Sequence, residues 1–358
     1  LLVDLYSWRA VFYMPLPFCL LGAGMAVWFL PWREQPAGET NFDWLGFAQL
    51  GGGIALVLLG LSEIPRIGIA EPRVWLLLAA GGLLAALFIR WELQSPRPLI
   101  DLRVFGQSGF GLHAMLAFMV GAGLFGTTYL IPLLVQKVHG LTATDAGLVL
   151  LPAGLIMAVT FPLAGHLSDH WPTGRPLLIG VAMVLVSCLA FGFTDTTTAF
   201  GLLAALAVVG RLGLGLLLPA VNGGALRNLS NTQLPEGAAA INFSRQLGGA
   251  VGVNAIAVGL DLRLWQTLRE RIAGDGGPFG VDAETLDAVR DAARAAGELP
   301  ETQLSELLGS VAPSLLRVGY EGAFQDSFVY LAVSYCMAML VAVALVRRSA
   351  SKTMAARR

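Results

Sequence analysis

An arginine set among glycines and leucines, Val208-Val209-Gly210-Arg211-Leu212-Gly213-Leu214, is the most chemically demanding feature of this 358-residue chain. An ionised side chain in so apolar a run either marks a wet pathway or snorkels to an interface. Its distance from both ends of the run favours a cavity. Asn242, Arg245, Gln246 and Asn254 interrupt another apolar run. Asn242 and Gln246 are four apart, and Gln246 and Asn254 eight, which places these three broadly on one helix face. That stripe either lines a water-filled cavity or hydrogen-bonds neighbouring helices. Phe118, Phe125 and Tyr129 repeat at seven and four on a third run. Such a face ordinarily packs into a core. Beside a polar cavity it would receive flat, cationic or apolar compounds by stacking and cation–π attraction. His113, near the start of the same run, suits an interface as well as proton handling.

One polar turn stands out: Gly165-His166-Leu167-Ser168-Asp169-His170-Trp171-Pro172-Thr173-Gly174-Arg175. Here an Asp near one helix end and an Arg near the next could pair with charges or helix termini when that face closes. The alternative is a plain solvated turn. Other chemistries lack their residues. There is no Gly-x-x-x-x-Gly-Lys-Ser/Thr phosphate loop and no His/Cys/carboxylate cluster with metal spacing. Cys19, Cys188 and Cys336 lie far apart inside apolar runs and read as small core hydrophobes.

The elements that must position these groups are long apolar runs. A bilayer core needs roughly 20 mostly apolar residues in helical form, because the backbone must satisfy its own hydrogen bonds in lipid. Nine such runs are legible, over residues 9–30, 44–61, 74–93, 109–135, 143–167, 177–193, 199–221, 237–260 and 323–346. Hydrophobic residues make up 56% and charged residues 13% of the chain, with a mean hydropathy of +0.69. A soluble domain carries about 25% charged residues, so an all-α polytopic membrane protein is expected. Residues 263–322 are rich in Asp, Glu and Arg and belong in water, with short surface helices expected over 283–296 and 302–316.

Orientation follows from Lys and Arg in the short loops. Arg33, Arg90, Arg97, Arg103, Arg175 and Arg227 gather on one side together with the basic tail. The other side has Arg9, Arg66, Arg73 and Lys137, so the first side is expected to be cytoplasmic and the loop 263–322 external. An external start without a signal peptide leads to the expectation that further spans precede Leu1.

Taken together, these stretches resemble the fourteen-helix drug:proton antiporters of the major facilitator superfamily. The turn GHLSDHWPTGR is similar to that superfamily's Gly-x-Leu-x-Asp…Gly-Arg cytoplasmic loop. SWRAVFYMPLPFCLLGAGMAVWFLP resembles the sixth span, FDWLGFAQLGGGIALVLLGL the seventh, and PLIDLRVFGQSGF the cytoplasmic lead-in to the ninth. GRLGLGLLLPA and EGAAAINFSRQLGGAVGVN are similar to the twelfth and thirteenth spans, and AFQDSFVYLAVSYCMAMLVAVALVRR to the last. The resemblance implies a major facilitator fold truncated to about nine transmembrane helices. Residues 1–30 would be the last helix of an N-terminal half. Residues 31–107 would hold two linker helices and a cytoplasmic loop, and 108–358 a C-terminal six-helix half.

By the same resemblance, Gly165, Asp169, Gly174 and Arg175 correspond to the charged gating loop, although the Asp-to-Gly spacing is two residues longer than usual. Arg211 with Gly215 corresponds to an Arg-x-x-x-Gly pattern. The implied activity is multidrug efflux across a bacterial inner membrane by proton antiport, not enzyme catalysis. A same-fold transporter for a defined metabolite or self-made antibiotic, or the permease of an ATP-driven exporter, are the alternatives. The substrate cavity would draw on Phe118, Phe125, Tyr129, Arg211, Asn242, Gln246 and Asn254. The expected partners are a small-molecule substrate, protons, lipid and an absent N-terminal half that carries the proton-coupling acid, with no cofactor, metal or nucleic acid.

Overall fold

A computed structural model describes residues 9–29, 42–96, 98–107, 109–171, 174–227, 229–273 and 313–355. Its elements are helical throughout: α1 (Ala10–Tyr13), α2 (Pro15–Phe29), α3 (Trp44–Ile67), α4 (Pro72–Gln94), a 3-10 turn (Leu102–Gly106), α5 (Phe110–Lys137), α6 (Ala143–His170), α7 (Gly174–Phe191), α8 (Phe200–Leu226), α9 (Leu234–Ala273) and α10 (Pro313–Ala355). Eight of these, α3 to α10, are long and apolar enough to cross a membrane. The first expected span is realised as α1 followed by the 15-residue α2, which is apolar but shorter than the others.

Helix ends follow local chemistry. Asp43 caps α3 by accepting from the Gly46 N–H at 2.9 Å. Thr142 and Asp145 form a reciprocal capping box at the start of α6. Pro72 opens α4 at a position where a missing N–H costs nothing. The last two helices run well past their apolar cores, over 40 and 43 residues. Hydropathy marks only the lipid-exposed part of a helix, while the polar continuation keeps its backbone bonds in water. The surface helix expected over 283–296 lies outside the described residues, and of 302–316 only the final residues are described, as the start of α10.

Helices α5 to α10 form one bundle, and the α3–α4 hairpin docks on it through α3 against α9. The most extensive pairings are α5 with α9 and α6 with α8, not those of chain neighbours. Exchanging the first three helices of the six with the last three turns one pairing into the other, the pattern of a 3+3 inverted repeat. Small residues make the seams. A Cβ on Gly121 would run into the Arg245 backbone carbonyl, and one on Gly248 into that of Phe118. Gly180 and Gly213 meet in the same way across α7 and α8. The core between the seams is apolar, with Tyr335, Phe324 and Phe328 of α10 fully enclosed and Phe328 stacked on Phe191 at 4.8 Å.

Loops sort onto two faces. His139 in the loop after α5 is within electrostatic reach of Asp195, in the loop after α7, and of Arg317, near the start of α10, so these three mark one face. At the opposite face His113 sits against Gly224, and Val346 against Gly174. The alternation of sides expected from the apolar runs is therefore the one the bundle adopts.

Candidate functional site

The charge in α8 is held by α5. Arg211 Nη2 donates to Thr128 Oγ1 at 2.7 Å, and Thr128 in turn donates to the Leu124 carbonyl of its own helix at 2.6 Å. Pro132, four residues on, has no N–H to bond the Thr128 carbonyl, so the α5 ladder is broken where the arginine docks. Phe125 and Tyr129 flank Thr128 on α5, each 37% exposed, with the Phe125 ring lying over Gly249 of α9. Tyr129 is within electrostatic reach of Asp261 on α9, as is Tyr320 of α10. A carboxylate and two phenols therefore gather at Tyr129, the residue after the threonine that holds Arg211.

A second polar group lies toward the other face. Arg245 Nη2 donates to Asn242 Oδ1 at 2.5 Å. These two side chains, with Asn222, Leu226, Ala238 and Ile241, line a cleft of about 170 Å³ between α8 and α9. Gln246, one turn from Asn242, is exposed beside it, whereas Asn254 is half-buried three turns away and outside the cleft. The Phe118 backbone carbonyl abuts Gly248 in the α5–α9 seam, and the residue itself is half-buried.

In the charged turn the helix runs further than expected. Gly165 and Asp169 belong to α6, which continues to His170, and Gly174 and Arg175 already open α7. Gly174 is packed against Val346 and Arg175 is exposed; the Asp169 side chain lies outside the described residues. Cys188 is buried as expected, while Cys19 and Cys336 are exposed on helix surfaces, and all three are free thiols. His113 Nδ1 lies 2.8 Å from the Gly109 carbonyl and its ring fills the space beside Gly224, a packing role at a helix start.

Thr128, Asn222 and Asp261 are the participants the residue patterns do not single out, whereas Arg245 is visible as a charge interrupting an apolar run. Asn222 stands eleven residues after Arg211, three helical turns, and so shares its face. That periodicity was a usable signal. Thr128 was hidden because hydroxyl residues are common in membrane helices and usually bond their own carbonyls.

Comparison with known proteins agrees with this architecture. Residues 1–253 match the family model described as Major Facilitator Superfamily. A multidrug resistance protein B homolog of Mycobacterium tuberculosis is 29% identical over 72% of this chain and 48% of its own length. The uncharacterized MFS-type transporter YcnB of Bacillus subtilis is 30% identical over 70% of this chain and 53% of its own. Drug efflux pump JefA of M. tuberculosis is 29% identical over 76% and 54%. The chain spans about half the length of the curated relatives it matches. A bacterial homolog of the human lysosomal transporter Spinster, inward-facing and occupied, has the same fold at a TM-score of 0.51 and 16% identity, covering 84% of this chain and 66% of that one. With its helical bundle, its membrane-spanning segments and a family match over most of its length, the chain belongs to the major facilitator superfamily.

Proposed function

We propose that this chain is part of an exporter of small, lipophilic or cationic compounds, driven by inward proton movement, and that Arg211, Thr128, Phe125 and Tyr129 line its substrate path. The supporting observation is the Arg211–Thr128 bond. Placing an arginine at the centre of a span costs about 2.5–3.5 kcal/mol. Hydrogen bonds between helices in a membrane return about 0.6 kcal/mol on average. A single bond to a threonine therefore does not offset the charge, and packing alone gives no reason to keep it. Water and substrate in a central cavity do. The aromatic faces beside it suit flat or cationic compounds, and the relatives named for drug efflux and multidrug resistance favour the same substrate class.

The test is dye transport by inverted membrane vesicles from cells expressing the reading frame that encodes the chain. Several unrelated fluorescent cations should accumulate when a proton gradient is imposed, and leak out when a protonophore is added. Arg211→Ala should lower the initial rate at least tenfold, about 1.4 kcal/mol of lost transition-state stabilisation. Transport that survived the protonophore but required ATP, or that was confined to one compound, would overturn the reading.

A further inference from the structure

The base of the linker hairpin holds a carboxylate pair that takes no part in the proposed substrate path. Glu92, near the end of α4, is only 2% exposed. Its Oε1 accepts the Leu99 N–H at 3.1 Å, which ties α4 to the loop leading into the six-helix bundle. Its Oε2 is buried with no hydrogen-bond partner among the described residues. Asp43, capping α3, faces it across Gly46. Asp43 Oδ2 and Glu92 Oε1 stand 2.6 and 2.9 Å from the point where a Gly46 Cβ would be. Asp43 is fully engaged: Oδ1 accepts from Gly46 N–H, and Oδ2 from the Trp91 indole N–H at 2.8 Å.

Among the described residues no cation pairs with either carboxylate, and Asp101 is a further like charge within electrostatic reach of Glu92. On the 3-10 turn, Arg103 directs its guanidinium at the Leu93 carbonyl and Asp101 caps the Arg103 N–H, and no ion pair among the described residues involves Glu92. An ionised carboxylate with a dry, unbonded oxygen is costly, and two carboxylates within about 6 Å do not both ionise readily. Asp43 has a donor on each oxygen, whereas Glu92 receives backbone N–H groups from the Leu99–Ile100 loop and nothing on Oε2. From this geometry we infer that Glu92 binds a proton on Oε2 at neutral pH, making the Asp43–Glu92 pair a proton site at the base of the α3–α4 hairpin. Loss of that proton would set two like charges against each other over Gly46, pushing the start of α3 away from the end of α4. The hairpin then responds to pH on its own face of the membrane, whatever the transported compound is.

Infrared difference spectroscopy on the purified chain in lipid nanodiscs tests this. A protonated-carboxyl C=O stretch should be present at pH 7, vanish on raising the pH, and be missing from Glu92→Gln at pH 7. Asp43→Asn keeps an acceptor for its donors but removes the neighbouring charge. In that variant the band should persist to higher pH. Glu92→Gln, a neutral mimic, should melt within a degree or two of the parent at pH 7, while Glu92→Ala melts lower. If Glu92→Gln left the pH 7 carboxyl band intact, or if the Asp43→Asn band vanished at the same pH as the parent's, the assignment would be wrong.

Discussion

Charged side chains in this protein are handled in two ways, according to where they sit. Within the spans they bond polar side chains, Arg211 meeting Thr128 of another helix and Arg245 meeting Asn242 of its own. At the face carrying the loops after α5 and α7 they meet water and one another. There His139 is pushed below its ordinary value by burial, and further by Arg317, with Asp195 acting the other way. Asp195 is held below the usual carboxylate range by hydrogen bonds from the Thr197 and Thr198 hydroxyls and the Thr197 N–H. A histidine that resists protonation in the folded state makes unfolding more favourable as acid rises. Its stabilising effect is complete above the unfolded value near pH 6.5 and is lost as pH falls toward the lower folded one. Asp195 behaves alike in a separate window, below its unfolded value near 3.8. Melting of the detergent-solubilised protein should therefore show a downturn beginning near pH 6.5 that His139→Gln reduces. A downturn of equal size in the variant would show that His139 is not its source.

At the scale of helices, the six-helix bundle depends on backbone approach at a few glycines. Gly248 and Gly259 lie on the same helix, yet only the first has a neighbour in the way, the Phe118 carbonyl. The same chemical change at both positions separates propensity from packing. Gly248→Ala should destabilise by about 1–3 kcal/mol, since the seam must open to admit the methyl group. Gly259→Ala, with nothing within 4 Å of the new atom, should be neutral or gain up to about 1 kcal/mol from reduced backbone entropy. Thermal midpoints of the two variants measure the difference, and equal shifts would mean that close approach does not hold α5 to α9. Which helices these glycines join is not legible in the residue order, because Gly121 meets α9, four helices further along the chain, and spacing within a helix says nothing about which distant helix it faces.

Across the whole molecule, loop positions divide into two faces, and arginine-rich loops should mark the inner one. Single cysteines at Thr197 and Ser230, in a background lacking the three native thiols, should report opposite compartments to a membrane-impermeant maleimide applied to intact cells. The expected result is labelling of Thr197→Cys alone. Labelling of Ser230→Cys alone would reverse the orientation while leaving the fold intact. Equal labelling of both would contradict the alternation of spans.

Residue order alone was enough for the helical, membrane-spanning class, the rough placing of the spans and the family likeness. Each follows from local chemistry: an apolar run of sufficient length has no other way to satisfy its backbone in lipid. Arg211 as a costly charge was equally visible, because cost depends on the surrounding run. Tertiary structure alone decided that Thr128 receives it, that Asn222 joins Asn242 at one cleft, that Phe118 belongs to a seam and that Glu92 is sealed beside Asp43. Those are contacts between different helices, and the shape and small side chains of both partners set them together.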